Sequence, residues 1–236
     1  NEAFYGSTGI TNIIIPSSVT SIGNEAFAGC ENLKTVINFS ELVFDKGSMS
    51  NGYVGYYADK LFNAPNGEII GDFVFGIIDS TPTFVGYLTD NIQEFVLPEN
   101  YRGGSYAIGD ELFMNCSNLT NIAIPNSVIG IGQFAFYNCS SLTSIEFPDS
   151  ITRIGNDAFS RCTGLKSIDL PDCVTTIGEY AFSGCSGITS VTIPNGLITI
   201  EDCVFEDCLG LIIVEIPNSV TYIGYAALEN CKSLES

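Results

Sequence analysis

The stretch from Leu142 to Cys162 reads LTSIEFPDSITRIGNDAFSRC and decides the fold, because close variants of it recur at a constant spacing. Prolines occur at steps of 23 residues from Pro125 to Pro217, and cysteines keep the same step from Cys116 to Cys231. A column of phenylalanines from Phe113 to Phe205 has that spacing too. Three independent columns with one period identify a repeat of 23 residues.

The first part of the unit predicts a short β-strand. Ile145 and Phe147 alternate with Ser144 and Glu146, so the apolar side chains point inward and the polar ones outward. Pro148 follows directly, and it ends the strand because proline has no backbone N–H to donate to a neighbouring strand.

The second part of the unit predicts another extended segment and a turn. Ile151–Ile154 is the extended segment, and Gly155 permits a tight turn in which φ is positive. Ala158 and Phe159 then lie four and three residues before Cys162, and these i+4 and i+3 spacings place them on the same face of a short helical turn as Cys162. Each repeat is therefore expected to be one coil of backbone.

A coil of 23 residues buries its apolar side chains only by stacking on identical neighbours. The sequence therefore predicts a repeat solenoid of the α/β class, dominated by β-structure, with in-register parallel strands about 4.8 Å apart. Equivalent phenylalanine, isoleucine and cysteine side chains are expected to form interior columns along its axis.

The repeat pattern organises the chain into three parts. Residues 1–36 hold the N-terminal repeats, residues 37–91 form an irregular insertion, and residues 92–236 hold the regular repeats. Within the insertion, residues 71–88 predict a β-hairpin with a turn at Asp79–Pro82. Both ends of the chain match the interior of a repeat, which predicts that residues 1–236 are one solenoid segment of a longer protein.

The composition excludes several classes of function. The chain has 236 residues, 27 acidic and 8 basic, with a net charge of −19, which argues against nucleic-acid binding and docking on anionic membranes. It has no histidine, which removes the commonest general base and the commonest zinc ligand. No apolar run reaches the roughly 18 residues of a membrane span. We therefore predict a non-enzymatic protein without a cofactor.

The repeat resembles the BspA-like, treponemal-type leucine-rich repeats, whose motif is close to LTSIxIPxSVTxIGxxAFxxC. Departures from that motif are local: Ser7 replaces the cysteine, Glu201 replaces the glycine and Leu228 replaces the phenylalanine. The resemblance implies a right-handed leucine-rich-repeat superhelix on a secreted or surface-anchored bacterial protein of the gut type. It also implies adhesion to host proteins and to other bacteria, and it brings no catalytic residues.

Seven of the nine cysteines occupy the cysteine column. Parallel Cβ vectors in a straight column keep neighbouring Cβ atoms farther apart than a disulfide allows, and a column gives no tetrahedral zinc site. We therefore expect buried free thiols and no metal site. Cys173 and Cys203 lie outside the column and are not expected to pair.

The outward strand positions are the candidate ligand-binding surface. From Ser167 to Cys231 the chain has nine acidic residues and no lysine or arginine. This bias fits a basic partner or Ca²⁺, and it equally fits general acidity for solubility. The candidate residues are Ser144, Glu146, Ser167, Asp169, Ser190, Thr192 and Glu215.

The insertion offers a second candidate surface. Tyr53, Tyr56 and Tyr57 form either an aromatic recognition patch or packing for the insertion. Two functions remain open: a module that binds a protein or glycan, and a passive stalk that displays another domain of the parent chain. The expected state is a monomer.

Overall fold

The computed structural model describes residues 1–88 and 94–235, and it divides the chain into two compact units, Asn1–Leu88 and Thr89–Ser236. The first unit begins with three parallel strands, β1 (Asn12–Ile15), β2 (Thr35–Asn38) and β3 (Lys60–Asn63). A 3₁₀ turn at Asn51–Tyr53 lies between β2 and β3. The parallel ladder therefore continues into the segment predicted to be irregular.

An antiparallel meander completes the first unit. It consists of β4 (Glu68–Ile70), β5 (Phe73–Ile78) and β6 (Thr81–Tyr87). The predicted hairpin is confirmed, and its turn is tighter than expected. Asp79 and Ser80 form the turn with φ values of 48° and 66°, as a two-residue type I′ turn requires, while Pro82 already belongs to β6.

The meander covers the outward side of the parallel strands in this unit. Alternation along β2 makes Ile37 an outward position, yet Ile37 is only 4% exposed and lies in a core cluster with Ala64 and Val74. Phe62 packs against the same cluster. A Cβ atom at Gly86 would overlap the Phe62 ring, so glycine is needed for the hairpin to approach the strands this closely.

Asparagine side chains connect the ends of β2 and β3, and Asn38 is fully buried. The Asn38 side chain donates to Asn63 Oδ1 at 3.0 Å and accepts the backbone N–H of Ser40, also at 3.0 Å. Asn63 in turn donates to the Phe44 carbonyl at 2.9 Å. These hydrogen bonds satisfy the backbone where the irregular coil leaves the strand, so it can be buried there at little cost.

The second unit is built from coils with three sides. The outward-facing side, called the strand face, carries β7 (Glu94–Val96), β9 (Asn121–Ala123), β11 (Ser144–Glu146), β13 (Ser167–Asp169), β15 (Ser190–Thr192) and β17 (Ile213–Glu215). The second side carries β8 (Tyr106–Ile108), β10 (Val128–Ile131), β12 (Arg153–Ile154), β14 (Thr176–Ile177), β16 (Thr199–Ile200) and β18 (Tyr222–Ile223). The expected start of the regular repeats at Ile92 lies outside the described residues.

The predicted register of the strand face is confirmed within two sheets. Ile122 pairs with Ile145, and Ile168 pairs with Val191. The ladder is not continuous, however, because β7, β9 and β11 form one parallel sheet and β13, β15 and β17 form another.

The third side is a ladder of turns, and the expected helical turn is wrong. In the described chain, the 3₁₀ turn in the first unit is the only helical element, and the predicted β-dominated repeat solenoid is confirmed. Within a coil, the N–H of Cys162 bonds the Phe159 carbonyl in an i to i−3 turn, while the N–H of Phe159 reaches the Ala181 carbonyl of the next coil at 2.8 Å. We call this side the turn ladder.

Alternating backbone conformations produce the turn ladder. Asp157 and Arg161 have φ values of 53° and 62°, so the chain repeatedly visits the left-handed region and no helix propagates. The N–H groups of Asp157, Phe159 and Arg161 all donate toward the following coil, at 2.7–2.9 Å. The turn ladder is thus a third backbone connection between neighbouring coils.

The interior columns are confirmed. Phe136, Phe159 and Phe182 are fully buried, and consecutive rings stack at centroid distances of 5.0 and 5.4 Å with interplanar angles of 4°. Beside them, the Cys162 thiol donates to the Phe136 carbonyl at 3.0 Å, and the same bond recurs at Cys185. The cysteine position therefore supplies a hydrogen bond as well as a small side chain.

The repeat glycine has a different role from the expected one. Gly155 is not among the residues with positive φ. A Cβ atom there would instead lie 2.7 Å from the Gln133 backbone nitrogen of the preceding coil. Glycine is required at this position because neighbouring coils approach too closely for any side chain.

Candidate binding surface

The strand face of the second unit places all seven candidate residues on one exposed surface. Each candidate strand buries its middle residue and exposes its two ends, except that Val214 in β17 is half-buried. Local sequence explains this, because the buried residue is an isoleucine or valine flanked by serine, threonine or a carboxylate. The exposed candidates are Ser144, Glu146, Ser167, Asp169, Ser190, Thr192 and Glu215.

The register arranges these side chains in two rows. In one row Ser167 and Ser190 pair with each other, and Ile213 follows Ser190. In the second row Asp169 pairs with Thr192, which pairs with Glu215. Short side chains leave the backbone of the sheet accessible, so a partner can approach it closely.

The carboxylates of this face are more separated than expected. Asp169 and Glu215 are not neighbours in the register, because Thr192 lies between them. Glu146 occupies the rung before Asp169, on a strand that belongs to the other sheet. The face is acidic without being a continuous column of charge.

Apolar side chains lie toward both ends of the strand face. Val96 on β7 is 73% exposed and Ile213 on β17 is 46% exposed. The alternating pattern identifies both as outward positions, but residue type alone gave no reason to assign them to a site. They extend the candidate surface with contacts of the kind that a protein or sugar ring uses.

The tyrosine cluster of the first unit is largely packing. The Tyr57 hydroxyl accepts the backbone N–H of Gly29 at 3.0 Å, and Tyr57 packs against the core. Tyr56 stands edge-on to Tyr57, with ring centroids 4.9 Å apart. Tyr53 contacts Tyr56 and is half-buried, which leaves Tyr56 as the exposed member at 41%.

All nine cysteines are free thiols, and seven of them are buried, the exceptions being Cys173 and Cys231. Burial raises the pKa of Cys208 to about 12 and raises that of Cys185 well above its usual value. Because metal binding and nucleophilic attack need the thiolate, these side chains are suited to neither. Across residues 1–88 and 94–235 there is no group of three cysteine, aspartate or glutamate side chains placed to hold a metal.

The described helical structure contains no helix long and apolar enough to cross a membrane.

The candidate surface is an open face of a stacked core, with short polar side chains in the middle, apolar ones near the ends and an excess of negative charge.

Solved structures with the same fold are bacterial leucine-rich repeat proteins. The T. pallidum leucine-rich repeat protein TpLRR is 28% identical, with a TM-score of 0.57 over 72% of this chain and 91% of its own. A leucine-rich cell surface protein of Faecalibacterium prausnitzii is 23% identical, with a TM-score of 0.55 over 98% of this chain and 65% of its own.

The pneumococcal vaccine antigen PcpA has the same fold at 19% identity, with a TM-score of 0.55 over 90% of this chain and 62% of its own. The chain thus spans just under two-thirds of the F. prausnitzii and pneumococcal proteins. No curated protein sequence matches it.

The family model for the BspA-type leucine-rich repeat region matches residues 1–48 and 106–235 in six copies. The match covers more than half of the chain and includes the repeats whose phenylalanine, cysteine and glycine columns build the core. The chain therefore belongs to the BspA-type leucine-rich repeat family.

Proposed function

We propose that this protein is a non-enzymatic binding module that engages a protein or glycan through the strand face of its second unit. The observation that carries the proposal is that five successive rungs, β9 to β17, expose short side chains over a fully packed core. A sterically open face with mostly short side chains offers a large contact area at little cost in side-chain ordering entropy.

The charge of the face favours a partner with positive or hydroxyl groups. Glu146, Asp169 and Glu215 are all exposed there, and the segment 167–231 contributes no positive charge to oppose them. Such a surface attracts a cationic ligand and repels acidic ones, an effect that weakens as salt screens the charges.

Location outside the cell is part of this proposal. The F. prausnitzii structure is described as a cell surface protein and PcpA as a vaccine antigen. Labelling of intact cells that express the parent protein, with an antibody against residues 94–235, tests the location. Signal only after permeabilisation would contradict it.

The binding proposal is tested by probing arrays of glycans and host proteins with residues 1–236, followed by variants. Glu146→Gln, Asp169→Asn and Glu215→Gln together should weaken binding to a captured ligand at least about fivefold at low salt. Folding should change little, since each surface change is usually within about 0.5 kcal/mol.

A matched control removes three carboxylates elsewhere in the second unit. Glu111→Gln, Glu179→Gln and Glu229→Gln change the net charge equally at exposed positions on the turn side. Equal loss of binding in both triple variants would mean that general acidity, not the strand face, attracts the ligand. Unchanged binding in the first variant would exclude the strand face.

A passive stalk is the competing function, and the phenylalanine column supports it because stacked rings connect successive coils along the axis of the second unit. The stalk predicts no ligand on any array. It also predicts that removing repeats from the parent protein shortens its reach without changing what it binds.

A further inference from the structure

Two interruptions divide the backbone ladders of the second unit. On the strand face, β7, β9 and β11 form one sheet and β13, β15 and β17 another, although β11 and β13 are neighbours. On the second side, β8 to β14 pair in succession, while β16 and β18 form a separate two-stranded sheet. The two interruptions lie on different sides of the coils and are offset by one repeat.

A pair of carboxylates coincides with the first interruption. Glu146 and Asp169 occupy the same repeat position on neighbouring rungs, and like charges directly opposite each other destabilise strand pairing. The rungs on either side lack such a pair, because Glu146 faces Ala123 and Asp169 faces Thr192 where pairing is intact.

The backbone hydrogen bonds show the same interruption. Thr143 donates its N–H to the Thr120 carbonyl at 3.2 Å, and Thr189 donates to the Lys166 carbonyl at 3.1 Å. Among the described hydrogen bonds, Lys166 has no equivalent bond to Thr143.

A lost glycine coincides with the second interruption. At Gly132, Gly155, Gly178 and Gly224, a Cβ atom would lie 2.5–2.7 Å from a backbone nitrogen of the preceding coil. Each of these glycines donates its N–H to an isoleucine carbonyl of that coil at 2.7–2.9 Å. Glu201 occupies the equivalent position, directly after β16. The described hydrogen bonds include none from its N–H.

The turn ladder is continuous across both interruptions. Phe159 donates to the Ala181 carbonyl at 2.8 Å, and Phe182 donates to the Val204 carbonyl at 2.9 Å. The phenylalanine rings remain stacked, but their spacing widens from 5.0 Å between Phe136 and Phe159 to 5.6 Å between Phe182 and Phe205. At each interruption, neighbouring coils are therefore connected by backbone hydrogen bonds on the turn side and lack strand pairing on one other side.

We propose that residues 165–187 form a compliant joint in the solenoid. At their junction with the preceding coil, the strand face opens because Glu146 repels Asp169. At their junction with the following coil, the second side opens because the side chain of Glu201 keeps the backbones apart. At each junction the turn ladder and the one other side that remains paired hold the two coils together, so the solenoid flexes in two directions across a single repeat.

Amide hydrogen exchange of residues 1–236, resolved by NMR and corrected for intrinsic rates, tests the first junction. The Lys166 amide should have a protection factor at least about tenfold lower than those of Thr143 and Thr189. Asp169→Thr should raise Lys166 to the level of those neighbours. Glu215→Thr is the matched control, because it removes a carboxylate that has no like-charged neighbour, and it should leave Lys166 unchanged.

The same measurement tests the second junction. The Glu201 amide should be at least about tenfold less protected than those of Gly178 and Gly224, and Glu201→Gly should raise protection at position 201. It should also raise protection at Ile198, because the equivalent Thr175 donates its N–H to the Thr152 carbonyl at 3.0 Å. Salt distinguishes the two causes: 1 M salt screens charge within about 3 Å, so it should raise protection at Lys166 and leave Glu201 unchanged.

Equal protection of Lys166 and Glu201 with their matched positions in the unmodified protein would overturn the joint, whatever the variants do. Protection that is low at these amides but insensitive to both Asp169→Thr and Glu201→Gly would overturn the assigned causes. Neither outcome depends on whether the strand face binds a ligand.

Discussion

The two units use the same strand motif and treat its outward face in opposite ways. In the first unit, Ile37 and Phe62 occupy outward positions of β2 and β3, and the hairpin β5–β6 covers them with a second core. In the second unit, the matching positions hold residues such as Glu146, Asp169 and Thr192, and they are exposed. The repeat motif alone does not decide whether an outward position is buried or exposed. That depends on whether a second element packs over it, since Ile14 occupies the position equivalent to Ile37 and is 50% exposed.

This contrast has a direct energetic reason. Burying an apolar side chain of the size of isoleucine contributes about 1.5–3 kcal/mol, whereas burying an unpaired carboxylate is strongly unfavourable. A hairpin that folds onto isoleucine and phenylalanine therefore stabilises the first unit. The outward positions of the second unit are mostly polar or charged, so a hairpin packed there would bury little apolar surface.

The largest expected effect is on the phenylalanine core of the second unit. Phe159→Ala should reduce the free energy of unfolding by about 3–5 kcal/mol, because a fully buried ring stacked on both sides leaves a cavity. Denaturant unfolding measures it. A loss below about 1 kcal/mol would mean that the phenylalanine column is not the core.

Breaking the covered face should have the next largest effect. Ile37→Ser should cost about 3 kcal/mol and expose β5 and β6, because it removes apolar contact and buries a hydroxyl under the hairpin. Hydrogen exchange in residues 73–87 reports the exposure.

The matched control for this change is Ile14→Ser. Ile14 pairs with Ile37 in the same register row but is 50% exposed on β1. It should cost less than about 1 kcal/mol. Equal effects at the two positions would mean that the hairpin does not stabilise the outward face of β2.

A single methyl group added between two coils should lower the free energy of unfolding. Gly155→Ala should cost about 1–3 kcal/mol, because its Cβ atom would lie 2.7 Å from a backbone nitrogen of the preceding coil. Gly104→Ala is a suitable control, since its nearest neighbour would be 3.4 Å away. Thermal unfolding of both variants measures the difference, and a neutral Gly155→Ala would contradict the close approach of coils.

The smallest expected effect concerns a carboxyl group on the turn side of the second unit. Partial burial raises the pKa of Asp157 in the folded state, with Ser160 and Arg161 opposing the shift. Ionisation of Asp157 therefore disfavours folding above its unfolded pKa, and this cost disappears at acid pH, where both states are protonated.

Asp157→Asn should accordingly raise stability slightly at pH 7 and have no effect near pH 3. The asparagine suits the positive φ of 53° at this position. Melting temperatures measured at both pH values test the sign. Stabilisation that persists unchanged at pH 3 would show that the effect is not electrostatic.

Sequence reasoning located the repeat elements because their signals are local and periodic. The alternation around Ile145 predicts its burial, and the residues from Gly71 to Leu88 predict the hairpin. It misassigned the role of Gly155 and the geometry around Asp157. A glycine required by a neighbouring coil and one required by positive φ look identical in sequence, and non-glycine residues with positive φ carry no strong signal of their own.

The sequence predicted which residues of the candidate surface point outward, but not which of them lie beside one another. Period 2 identifies Ser167 and Asp169 as outward on one strand. Which residue of a neighbouring coil lies beside each of them depends on register, and this places Thr192 between Asp169 and Glu215. The burial of Ile37 was not predictable at all from its own repeat, since it depends on a hairpin more than 30 residues later in the chain.

By itself the sequence determined that the chain stacks coils of 23 residues around phenylalanine, isoleucine and cysteine columns. An apolar pattern repeated at one period is buried only when equivalent residues of successive coils stack on each other. The tertiary structure alone decided which outward faces remain open, where the backbone ladders are interrupted and why the repeat glycines are needed. Each of these depends on the distance between atoms of different coils, and an identical motif in every repeat carries no information about what its neighbour presents.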